Sequence, residues 1–115
     1  MKIPLSELIE EIDELQILEG REDVTVKNGY VSDLLSDVMR NAAEGSIWVT
    51  VQHHENVVAV ALMADISAIV FSNGLKPDQD VIDRGREEEI TLCSFPGTSY
   101  ELVGKLYSMG IGRNK

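Results

Sequence analysis

Apolar positions recur at helical spacing from the start of the chain. Leu5, Leu8, Ile9, Ile12 and Leu15 share one face, with Glu7, Glu10, Glu11, Asp13 and Glu14 opposite, which predicts an amphipathic first helix. Pro4 suits its first turn, and Gly20 closes the segment after the apolar pair Ile17-Leu18. The pattern then changes. Val24-Thr25-Val26 reads as a β-branched strand, and Asn28-Gly29 followed by Tyr30-Val31 reads as a hairpin with its return strand or as a strand-to-helix turn. Ser32 or Asp33 can cap a following helix whose buried stripe is Leu34, Leu35, Val38, Met39 and Ala42, closed by Gly45.

Ile47-Trp48-Val49-Thr50-Val51 is a bulky run that fits a central strand covered on both faces. The valines at 57, 58 and 60 have poor helix propensity, but the alternation of strands and helices around them predicts a helix over Val57 to Ala64. Ala68 to Phe71 reads as a strand bounded by Ser72-Asn73-Gly74. Pro77-Asp78 opens a helix with Val81 and Ile82 inward, whose middle Gly85 weakens by about 1 kcal/mol relative to alanine. Ile90 to Cys93 makes another strand. Thr98 and Glu101 form a capping box ahead of Leu102, Val103, Leu106, Tyr107 and Met109, a helix that Gly110 and Gly112 end. Strands near 46–51, 68–72 and 90–93, each followed by a helix, predict an α/β fold of three layers, α/β/α. Its sheet is mainly parallel or mixed, with helices on both faces. Residues 1–112 form one domain on this pattern, and 113–115 a fraying tail.

Composition narrows the partners. The 115 residues leave room for one core, and 43% hydrophobic with 26% charged residues is the balance of an ordinary globular domain. Twenty Asp and Glu against ten Lys and Arg give a net charge of −10, which repels phosphate backbones and anionic lipid and excludes nucleic acid and membrane surfaces. Cys93, the one cysteine, leaves no internal disulfide and no Cys/His zinc site. With an acid-rich start that lacks the basic and apolar regions of a signal peptide, it places the chain in the cytoplasm. A domain of this size gains from an oligomeric contact.

His53 and His54 follow the central strand at its C-terminal end, where open α/β sheets place ligands. Adjacent side chains on a strand point to opposite faces, so the two histidines do not form a joint metal site. Gly29, Tyr30, Ser32 and Asp33 precede a helix N-terminus, and Asn56 can cap the helix after the histidines. Asn73 and Gly74 lie at the next strand end, where a positive-φ turn accounts for them without a ligand. With Gln52 and His54 these residues make up the candidate ligand-binding row: Gly29, Tyr30, Ser32, Asp33, Gln52, His54, Asn56, Asn73 and Gly74. Gly97 and Gly104-Lys105 fail as a phosphate loop, because six residues separate the glycines and Leu106 replaces the magnesium-binding hydroxyl. Cys93 reads as a small buried hydrophobe, and the carboxylate runs as solvated helix faces. No catalytic residue, metal or cofactor is expected.

The run Gly29-Tyr30-Val31-Ser32-Asp33-Leu34-Leu35-Ser36-Asp37-Val38-Met39, followed by Ile47 to Gln52, resembles the DRTGG domain family. His54, Asn56, Ala68-Ile69-Val70, Gly74, Pro77 and the closing helix with Glu101, Gly104, Leu106 and Tyr107 extend the resemblance over nearly the full chain. An ungapped placement sets the Asp-Arg-Thr-Gly-Gly signature on Thr25 to Gly29, where only Gly29 keeps its letter, so turn geometry carries over and the signature's polar residues do not. The resemblance implies a fold similar to the N-terminal domain of HPr kinase/phosphorylase and to those of certain Mur ligases, without the kinase domain that carries the phosphate loop. DRTGG domains also accompany CBS domains in regulatory inorganic pyrophosphatases and precede phosphotransacetylase domains, which implies an accessory module that pairs chains. The expected function is a non-catalytic regulatory or interaction module, a homodimer acting on a partner protein. The alternative is a sensor binding a nucleotide or phosphometabolite at the strand C-terminal ends.

Overall fold

The computed structural model describes residues 2–54 and 56–113. In chain order the elements are β1 (Ile3–Pro4), α1 (Leu5–Glu11), β2 (Gln16–Glu19), β3 (Thr25–Val26), β4 (Asn28–Val31), α2 (Leu35–Asn41), β5 (Ser46–Thr50), α3 (Asn56–Met63), β6 (Ala68–Phe71), α4 (Gln79–Glu88), β7 (Thr91–Ser94) and α5 (Ser99–Ser108). Five strands form one sheet in the order β2-β7-β6-β5-β4, with β4 to β7 parallel and β2 antiparallel against β7. β1 and β3 pair as a separate antiparallel ribbon.

Alternation along the strands builds the layers. Ile47, Val49, Ala68, Val70 and Cys93 turn to one face, where they meet Leu5 and Leu8 of α1 and Leu102 and Leu106 of α5. Trp48, Ile69, Phe71 and Leu92 turn to the other, against Val38 of α2, Val57, Val58 and Ala61 of α3, and Val81 of α4. Strands β4 to β7 follow one another in a single direction, so right-handed crossovers put α2, α3 and α4 all on one face. The result is the α/β/α fold expected from the pattern, with a mixed sheet. No helix among the described residues is long and apolar enough to cross a membrane.

The N-terminal third departs from expectation. α1 stops at Glu11, although Ile12 and Leu15 are buried as the helical spacing requires, and Glu14 takes a left-handed φ of 72° that turns the chain. Ile17-Leu18 does not extend a helix. The pair lies in β2, with Ile17 packed into one core and Leu18 into the other, as alternate strand positions must be. Asn28-Gly29 is no turn either. Both residues lie in β4 at negative φ, paired with Ser46 and Ile47 of β5, because β3 takes β1 as its partner. The turn geometry assigned to Gly29 is therefore absent.

The helix caps differ from the pattern as well. Leu34 occupies the N-cap of α2 without a side-chain bond, and Leu34 and Met39 are exposed, which leaves Val38 as the fully buried residue of that helix. Asn56 is the first residue of α3 and not its cap. The capping box of Thr98 and Glu101 forms in full. Asn73 and Gly74 adopt φ of 60° and 68°, as their turn requires. Gly85 is buried where α4 crosses Leu92, and a Cβ there would lie 2.8 Å from Leu92 Cδ1, so close approach explains a glycine in mid-helix. Asn114 and Lys115 of the expected tail lie outside the described residues.

Candidate functional site

The C-terminal ends of β4, β5, β6 and β7 stand in a row at one edge of the sheet. After β4, Asp33 Oδ1 accepts from Thr50 Oγ1 at 2.8 Å and from the Val51 N–H at 2.8 Å, which ties the first loop to the second. Thr50 Oγ1 accepts from the Gln52 N–H, Gln52 Oε1 from the His54 N–H and His54 Nδ1 from the Asn56 N–H. Four expected site residues, Asp33, Gln52, His54 and Asn56, thus share one hydrogen-bonded string with Thr50 and Val51, which were not expected in it. Ser32 stands beside it, its Oγ accepting from the Leu34 N–H and its carbonyl from Trp48 Nε1 at 2.8 Å.

Asn73 and Gly74 are held apart from that string. Their N–H groups donate to the Gly97 carbonyl at 2.7 Å and the Phe95 carbonyl at 3.1 Å. The chain changes face between these loops, since α4 lies on one side of the sheet and α5 on the other. A ligand crevice would open at such a change of face. Here the two backbone bonds and a 2.6 Å contact between Ser72 Oγ and Ser99 Oγ join its lips. A recess of about 170 Å³ beside Gly74 is lined by Glu14, Gln16, Lys76, Ser94 and Pro96 among others. His53 and His54 border another of about 230 Å³ with Asp78, Asp80 and Val81. No cluster of metal-ligating side chains occurs among the described residues.

Tyr30 turns away from the strand ends toward α2. Its Oη donates to Asp37 Oδ1 at 2.8 Å, an oxygen that also accepts from Asn41 Nδ2 at 2.8 Å. Asn41, then Ser32 and Tyr30, hold the Asp37 carboxyl below its usual range, and the same carboxylate raises the Tyr30 phenol. Burial alone pushes the Cys93 thiol up to about 12, which keeps it protonated and unreactive.

An apolar cleft of about 210 Å³ opens where α5 passes the edge strand β4. Gly29, Ile47 and Val49 line it from the sheet, and Val103, Leu106, Tyr107 and Ile111 from α5 and the turn after it. Gly29 keeps it open, because a Cβ there would project between Ile111 Cγ2 at 3.4 Å and Ile47 Cγ2 at 3.9 Å. Val31 and Tyr107, 48% and 56% exposed, stand at its mouth. The Arg113 guanidinium lies 5.6 Å from the Tyr107 ring centre.

The fold has a solved counterpart. The chain aligns at a TM-score of 0.64 and 16% identity with a structure of the CBS and DRTGG domains of the regulatory region of a Clostridium perfringens pyrophosphatase, complexed with its activator, diadenosine tetraphosphate. The likeness is one of fold. The alignment covers 78% of this chain and 40% of that one, so this chain spans less than half of the neighbour's length. No protein-family model and no curated protein matches the chain.

Of the nine expected residues, the sheet edge gathers Ser32, Asp33, Gln52, His54 and Asn56, while Asn73 and Gly74 face the β7–α5 loop and Gly29 and Tyr30 border the cleft. Sequence reasoning did not single out Val31, Val103, Tyr107 and Ile111 as site residues. The available signal was the apolar face of α5, which at Leu102, Val103, Leu106, Tyr107 and Met109 is wider than one buried stripe needs.

Proposed function

We propose that residues 1–112 form a DRTGG-type regulatory module that catalyses nothing itself, works as a homodimer and acts on a partner protein. The observation that carries this reading is the apolar cleft beside β4, with Val31 and Tyr107 exposed at its mouth. Contiguous exposed apolar surface around a concave site marks contact sites, whereas single scattered apolar side chains are ordinary. The fold likeness to a pyrophosphatase regulatory region supports the regulatory part.

A second reading, a nucleotide or phosphometabolite sensor at the strand ends, draws on the activator in that neighbouring structure and on the string from Asp33 to Asn56. Charge weighs against it. The recess at His53 and His54 carries Asp78 and Asp80 on a chain of net charge −10, an environment that repels a polyphosphate.

Thermal unfolding separates the two. The midpoint is expected to rise with protein concentration and to stay fixed when adenine nucleotides or diadenosine polyphosphates are added. A ligand at 100 times its dissociation constant would add about 2.7 kcal/mol, a shift of several degrees. Such a shift, lost in His54→Ala, would replace the association reading with the sensor.

A further inference from the structure

We propose that β4 pairs antiparallel with β4 of a second copy across a two-fold axis, the apolar cleft beside it closing in the same contact. This rests on the homodimeric reading and names its surface. The two edges of the sheet are built differently. β2, at one edge, breaks its register between Ile17 and Glu19, and Glu19 is held by Arg86 at 3.2 Å, both of which discourage a further strand. β4, at the other edge, is Asn28-Gly29-Tyr30-Val31, with no charge, proline or bulge.

The backbone of β4 is disposed for pairing. The N–H groups of Asn28 and Ser32 donate toward β5, to the carbonyls of Gly45 and Val49. Alternation then directs the peptide groups of Gly29 and Val31 to the outer edge, where no further strand lies among the described residues.

Charge permits a second copy as the occupant at this edge. The chain carries −10 overall, which opposes self-association across most of its surface. From Leu102 to Arg113 there is no carboxylate, only Lys105 and Arg113, and β4 itself is neutral. Asp33 and Asp37, the acids that follow β4, are engaged by donors of their own chain. Two copies can therefore meet here without opposing acidic surfaces. A strand paired with its own copy makes an isologous contact, so the outer edge of β4 in each copy is consumed and growth through that edge stops at two.

Sedimentation velocity on the full chain tests the surface. Wild-type protein is expected at twice 12.7 kDa, Val31→Lys at the monomer mass with dissociation about 100-fold easier or more, and Met63→Lys, exposed on α3, at the dimer mass. Tyr107→Glu repeats the test should Val31→Lys lose its circular-dichroism spectrum. Dimeric wild type with both β4 and α5 variants still dimeric would overturn this surface and leave the homodimer intact. Monomeric wild type at every concentration, whether or not a peptide or apolar ligand fills the cleft, would overturn both.

Discussion

Asp37 shows how one carboxylate serves several neighbours. It accepts from Asn41 and Tyr30, and Asn41, then Ser32 and Tyr30, favour its charged form, so its carboxyl sits below the ordinary carboxylate range. Glu101 is lowered in the same way by the Thr98 N–H and then the Thr98 hydroxyl. A group depressed in the folded state contributes stability that is complete above its unfolded value and is lost as pH falls through the folded one. Acid should therefore weaken the fold below about pH 4, and Asp37→Asn should lose less stability than the parent over that limb. Urea unfolding at a series of pH values reads the difference; parallel curves for parent and variant would remove Asp37 from the account. Cys93 belongs to the same scale, since burial rather than a neighbouring charge governs it.

At the scale of elements, the sequence was most legible where burial is two-sided. β5, β6 and β7 are bulky and apolar on both faces, the capping box marks α5, and Asn73-Gly74 marks its turn, so each could be located from local pattern. The first third was not legible, because its elements are decided by partners far along the chain. Gln16 to Glu19 becomes a strand by meeting β7, and Asn28-Gly29 is straightened by β5. Trp48 draws the carbonyl of Ser32 into a bond, and Asp33 is taken from the expected cap of α2 to join the β4 and β5 loops. Asp33→Ala should cost about 1 kcal/mol through those two lost acceptor bonds, lowering the melting midpoint by about 4 °C. A melting curve superimposed on the parent's would mean that solvent replaces both bonds at no cost.

Over the whole molecule, the row of strand-end residues was visible in the sequence because each follows a recognisable strand. The cleft was not, since Gly29 and Tyr107 come together only after the sheet has ordered its strands and α5 has crossed back over β5 toward β4. An asymmetry results. One sheet edge is bulged and charged, while the other is neutral, extended and flanked by exposed apolar side chains. A protein whose work is association would keep that second edge available. Amide hydrogen exchange at Gly29 and Val31, followed from low to high protein concentration, tests this most directly. Exchange at both amides should slow as concentration rises while that of Met63 on α3 stays constant. Equal exchange at all concentrations would contradict an association module built on β4.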